Sequence, residues 1–185
     1  MNAKNPEDIY DLTELISKGG MEKIGKRLTE FPELCHWQDD AGDYVAHVAC
    51  QHARSDVVML LGRLDYNFDT EYNSAGFLPI HTACYYGNID CVLALKLCGA
   101  DLNALTESDH WTPLHIACRI GYLPLIHVLL RAGVRINVRD AFNQTPQDVA
   151  LANGLEKVLL MIDAHKNAPQ NSCTCIQFLP MREQS

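Results

Sequence analysis

Three pairs of good zinc ligands recur along the chain: His47 with Cys50, His81 with Cys84, and His115 with Cys118. In each H-x-x-C pair the two side chains share one helix face, and imidazole nitrogen with thiolate sulfur is a donor set of structural zinc sites. Two pairs would have to converge on one ion at bond lengths of about 2 Å. Packed helices lie roughly 10 Å apart, so neighbouring pairs do not meet and no metal is expected. Other reactive settings are sparse. His36 and His52 stand near Asp39 and Asp56 in sequence, a pairing that helix-and-turn sequences produce by chance. No glycine-rich phosphate loop follows a strand, and no serine or cysteine sits in a nucleophile motif. The chain therefore reads as no enzyme and as needing no cofactor. A metal- or thiol-dependent enzyme or sensor is the alternative, to be decided by zinc content and thiol titration. Cys173 and Cys175 read as exposed thiols with no apolar or basic anchor beside them.

The three pairs are related by a period. Counting back 34 residues from His115 gives His81, and another 34 gives His47; counting 33 forward from Thr112-Pro113 gives Thr145-Pro146. Recurrence at this length marks an array of stacked repeats. The unit is clearest between Thr112 and Asn137. Thr112 suits an N-cap whose hydroxyl accepts from a backbone N–H, and Pro113 suits the first helical position, where no N–H is missed. Leu114, Ile116 and Ala117 supply an apolar side, and Gly121 the residue that closes the helix. A second helix begins near Leu123-Pro124, carries Leu125, Ile126, Leu129 and Leu130 inward, and stops at Gly133. Such a pair cannot bury both faces alone, so its apolar stripes must be covered by the units on either side.

Laid out in this register, the chain divides into a capping unit at 5–37, full units at 38–71, 72–105 and 106–139, a closing unit at 140–165, and a loosely docked or mobile tail at 166–185. In the first unit Ile9, Leu12, Leu15 and Ile16 share one helix face, and Ile24, Leu28 and Phe31 another, with the break at Gly19-Gly20. Its charged exterior, with Lys18, Lys23, Lys26 and Arg27, fits the end of an array that must meet water.

The net charge of −8 argues against nucleic acid or an anionic membrane surface as partner, since both need a basic face. The charge is uneven. Between Gln38 and His110 eleven acids stand against three bases, whereas Trp111–Arg139 holds four arginines and no acid. No apolar run approaches the roughly 20 residues that span a bilayer, and Met1–Tyr10 lacks the basic-then-apolar order of a secretory leader. Cys35, Cys50, Cys84, Cys91, Cys98 and Cys118 sit in apolar helical patterns, as small hydrophobes in a reducing compartment would. A cytoplasmic or nuclear location is the expectation.

These residues carry a resemblance. Thr112-Pro113-Leu114-His115, Gly121, Leu129-Leu130, Gly133 and Asn137, echoed by Pro79-Ile80-His81, Gly87, Gly99-Ala100-Asp101 and Asn103, resemble ankyrin repeats over about residues 5–165. The resemblance implies an all-α solenoid of stacked antiparallel helix pairs with outward β-hairpin fingers. It implies that the repeated histidine hydrogen-bonds neighbouring backbone, that the cysteine replaces a small buried alanine, and that the function is to bind proteins. The unit at 38–71 departs most: Tyr44-Val45-Ala46 replaces Thr-Pro-Leu, Ala53 replaces glycine, and Asp65-Tyr66-Asn67 replaces Gly-Ala-Asp. Its helix ends and finger are expected to be looser, and His110 stands at a turn position that favours glycine. Asn103 occupies a finger position that can be hydroxylated in this family, with a structural turn as the plainer reading.

In such a stack the concave surface is made by finger tips and by the outer positions of each first helix. By register, Asp40, Asp43, Phe77, Asp109, Trp111 and Phe142 come from the fingers, and Tyr85, Tyr86, Arg119 and Ile120 from the first helices. Aromatic side chains and arginine are enriched at interface hot spots, so these ten are the candidate partner-binding residues, with the aspartates as an acidic flank. The expected function is a non-catalytic, regulatory or inhibitory protein-binding module, monomeric alone and part of a complex with one or more intracellular proteins. The alternative is an adaptor whose tail recruits a second partner. The tail is too short for an appended helical ligase-recruiting box.

Overall fold

The computed structural model describes residues 6–167, with side chains from Leu12 onward. Among the described residues ten α-helices follow in pairs: α1 (Pro6–Lys18) and α2 (Met21–Glu30); α3 (Val45–Gln51) and α4 (Ser55–Arg63); α5 (Pro79–Tyr85) and α6 (Ile89–Leu97); α7 (Pro113–Ile120) and α8 (Leu123–Arg131); α9 (Pro146–Ala152) and α10 (Glu156–Asn167). A 3-10 turn, Pro32–His36, links the first pair to the second. Residues 168–185, including Cys173 and Cys175, lie outside the described residues, as does the side chain of Ile9.

Local chemistry sets the helix ends. In α7 the Thr112 hydroxyl oxygen accepts from the His115 N–H at 3.3 Å, Pro113 takes the first turn, and Gly121 closes the helix at φ 75°. In α9 Thr145 accepts from the Asp148 N–H at 3.2 Å, while the Asp148 carboxylate accepts from the Thr145 N–H and hydroxyl. This reciprocal cap satisfies N–H groups that the helix cannot.

The first helices form one layer, with α1 on α3, α3 on α5, α5 on α7 and α7 on α9. The second helices form the other, with α2 on α4, α4 on α6 and α8 on α10. Core residues come from every pair, from Leu12 and Ile24 through Val48, Ile80 and Ile116 to Val158 and Ile162. One position stitches each unit to the one before. Arg54 Nη1 donates to Ile16 O at 2.6 Å and Gly19 O at 3.0 Å, and Asn88 Nδ2 donates to Cys50 O at 2.6 Å. These side chains satisfy carbonyls that the ends of α1 and α3 leave open. At the same register Tyr122 packs on Gly87 and Leu155 on Gly121, where a Cβ on either glycine would meet the ring or side chain at 3.1–3.2 Å.

The 38–71 unit keeps the backbone geometry of the later units, although Tyr44 starts α3 with no side-chain cap hydrogen bond. Ala53 and Asp65 adopt φ 55° and 57°, the left-handed geometry that Gly87, Gly121 and Gly154, or Gly99 and Gly133, take in later units, and His110 does the same at 52°. The stack dictates the backbone, and the side chains accept strain of about 1–2 kcal/mol for an L-residue there. Glycine's larger unfolded-state entropy offsets part of this. Ala53→Gly is therefore expected to raise the unfolding free energy by roughly 0.5 to 1 kcal/mol, measured by urea titration. A fall in stability would show that Ala53 is not strained.

The fingers are hydrogen-bonded turns, the first with an antiparallel bridge at its base, Gln38 to Tyr44; among the described residues there is no strand. Each finger closes on itself by one bond of 2.9 Å: Asp39 N to Asp43 O, Asn73 N to Phe77 O, Thr106 N to Trp111 O, and Asp140 N to Gln144 O. Each also bonds the next, through Ser74 N to Gly42 O, Glu107 N to Gly76 O and Ala141 N to Asp109 O. Side-chain acceptors at the finger bases hold the turns. Asn73 Oδ1 accepts from Ala75 and Phe77 N–H, and Asp140 Oδ1 from Phe142 and Gln144 N–H.

Candidate functional site

The H-x-x-C pairs are fully buried and serve the stack. His47 Nε2 bonds Phe77 O at 2.8 Å, His81 Nε2 bonds Ala104 O at 3.0 Å, and His115 Nε2 bonds Gln144 O at 3.1 Å. A nitrogen donating to a carbonyl has no lone pair for a metal. On the other side of the ring, Nδ1 of His81 accepts from Leu78 N–H and Nδ1 of His115 from Thr112 N–H, both at 3.1 Å. The His81 and His115 rings thus join their own helix starts to backbone further along the chain, as the resemblance implies, whereas His47 reaches the next finger through Nε2 alone and its buried Nδ1 has no hydrogen-bond partner. Burial holds all three imidazoles below their ordinary pKa, that of His81 at about 4. The cysteines are free thiols, and burial pushes Cys50, Cys84 and Cys118 up, the last to about 12. Such thiols are protonated and poor nucleophiles.

The row facing the fingers has a repeating rule. In three successive units a finger residue meets the first-helix residue eight positions later. Gln51 Nε2 donates to Asp43 Oδ2 at 2.5 Å; the Phe77 and Tyr85 rings lie 6.1 Å apart; the Arg119 guanidinium lies 5.0 Å from the Trp111 ring centroid. The contact changes from polar, to aromatic, to cation–π along the array. Tyr85 also meets Tyr86 edge-on at 5.4 Å, and Trp111 stacks on His115 at 6.5 Å while its Nε1 donates to Asp140 Oδ2 at 2.9 Å.

The ten candidates divide by this geometry. Tyr85, Tyr86 and Ile120 are about half exposed and Phe142 is 70 % exposed, while Asp40, Asp109 and Arg119 are also exposed. Phe77 and Trp111 are half-buried, and their edges complete the surface. Among the described residues Phe142 makes no ring contact and Trp111 meets only His115, so of the five aromatics Phe77, Tyr85 and Tyr86 form one cluster and the other two stand apart from it. Asp43 corrects the acidic flank. It is 8 % exposed and its second oxygen accepts from Asn73 Nδ2 at 2.6 Å, so it braces two fingers instead of facing solvent. Asn103 Oδ1 accepts from Arg135 N–H at 2.6 Å, and Asp69 accepts from Asp101 N–H at 3.1 Å. Both are inter-unit braces at one register position.

Sequence reading missed a second polar group. Glu71 joins His36 Nδ1 at 2.8 Å and the Tyr66 hydroxyl, with His36 stacked on Tyr66 at 5.3 Å. No signal in the periodicity points to it, because Glu71 lies in an irregular connection. Among the described residues, no group of three or more potential ligands converges and no helix is long and apolar enough to cross a membrane.

Residues 80–130 match the family model for ankyrin repeats (many copies). Comparison with curated proteins finds no match.

Proposed function

This chain is an ankyrin-repeat protein, and we propose that it is a regulatory module that occupies a functional surface of an intracellular protein with its concave face. Ankyrin repeats are in general protein–protein interaction modules, and the family is typically non-catalytic. One observation carries the finer reading: Tyr85, Tyr86, Ile120 and Phe142 are exposed on the finger-facing row, while the histidines, cysteines and glycines around them are spent on the stack. A surface held by finger-to-finger bonds loses little conformational entropy on binding. That favours occlusion of a partner by a monomer, in the cytoplasm or nucleus.

Tyr86 and Phe142 are the clean probes, since their hydrogen bonds to the fold run through backbone N–H groups that alanine keeps and both side chains are more than half exposed. The experiment compares proteins captured from cell lysate by the full chain, by Tyr86→Ala with Phe142→Ala, and by a chain ending at Asn167. The double variant is expected to keep its melting temperature and lose the main partner, and the shortened chain to retain it. Unchanged capture by the folded double variant contradicts the concave reading. Loss on shortening alone assigns the interaction to the tail, as in an adaptor.

A further inference from the structure

We propose that the partner segment presents a lysine or arginine beside an apolar side chain, and that the cation docks on the Phe77–Tyr85–Tyr86 rings. This deepens, and rests on, the concave-face reading. The first observation is the repeating contact itself. In the third unit the chain fills the finger-to-helix position with its own cation, Arg119 over Trp111 at 5.0 Å. In the second unit the same two positions are Phe77 and Tyr85, with Tyr86 adjoining, and among the described residues no cation is placed over these rings. The faces of such rings attract cations.

The second observation is charge complementarity. Exposed carboxylates sit on the fingers either side of this cluster: Asp40 on the first, and Glu107 and Asp109 on the third. Glu107 adjoins the second finger directly. Its backbone N–H donates to Gly76 O at 3.0 Å, next to Phe77, and a Cβ on Gly76 would lie 3.1 Å from the Glu107 Cβ. The first-helix arginine, Arg119, is committed to Trp111 one unit away. Exposed rings with carboxylates on the flanking fingers favour a basic segment over an acidic one, and the half-exposed Ile120, on the next first helix, is an apolar side chain for its neighbour.

The test is selection of a displayed random twelve-residue peptide library on the full chain, followed by affinity measurement of the enriched peptides at low and high salt. Enriched sequences are expected to carry Lys or Arg next to an aliphatic or aromatic residue. Their affinity should fall about tenfold or more on Tyr85→Leu with Tyr86→Leu, which keeps apolar area but removes the ring faces. Glu107→Gln with Asp109→Asn should weaken binding and flatten its salt dependence. Enriched peptides that are acidic or neutral, or basic peptides indifferent to both variant pairs but sensitive to Phe142→Ala, overturn the cation proposal and leave the concave reading standing. Failure to enrich any peptide, or enrichment indifferent to every one of these substitutions in folded protein, overturns the concave reading itself.

Discussion

Acidification from pH 6.5 to about 4 is expected to remove about 3 kcal/mol of unfolding free energy through His81 alone. Its folded pKa lies at about 4, held down first by burial and also by the neighbouring His47, against hydrogen bonding to Ala104. An unfolded histidine titrates near 6.5, and each unit of difference is worth about 1.4 kcal/mol. The sign follows from proton binding. Within this window the unfolded chain takes up the proton and the folded one does not, so the stability is fully present above pH 6.5 and lost as pH falls. His47 and His115, also lowered by burial, add in the same direction. Urea titrations across this range check the slope, and the His81 ring shifts by NMR check the site. A folded-state His81 titrating near 6.5 would contradict the buried, neutral stitch. Replacing it with alanine at pH 7.5 is expected to cost about 3 kcal/mol, because the Leu78 N–H and Ala104 C=O lose their partner inside a packed layer.

Trp111→Ala is expected to destabilise the array by about 3 kcal/mol. The indole stacks on His115, receives Arg119 on its face, and donates to Asp140, which is 7 % exposed and also holds the fourth finger through its other oxygen. Removing it strips a donor from a buried carboxylate as well as apolar area. Trp111→Phe keeps the area and loses only the N–H, and should cost about 1–2 kcal/mol. Arg119→Ala should cost about 0.5–1 kcal/mol, because its guanidinium is exposed. Thermal and urea unfolding of the three variants test this order. Equal, small losses would show that Trp111 is a surface ring and not a brace, and would return it to the simple contact set.

The helix pairs, their caps and the buried histidines were legible in sequence because the 34-residue recurrence places chemically identical residues in identical environments. Thr112, Pro113 and Gly121 behave as their types require. Less legible was which polar side chains would be spent. Asp43 looks like a finger-tip acid until Asn73, 30 residues later, is placed beside it. Asn103 and Asp69 are likewise committed by backbone N–H groups 32 residues on. A period reveals which face a residue occupies, but not whether the next unit offers a partner within reach. The same limit explains Ala53 and Asp65. Their types argue for loose helix ends, yet packing on both sides imposes the left-handed backbone.

The concave-face reading is tested most directly by photocrosslinking in cells, with a benzophenone amino acid at position 86 on the finger-facing row or at position 93 on the outer face of α6. Tyr86 and Leu93 are 52 % and 42 % exposed, so access to solvent does not separate them. Crosslinks to one main protein from position 86, with none from position 93, are expected. A partner that crosslinks from position 93 and not from position 86 would contradict binding through the concave face.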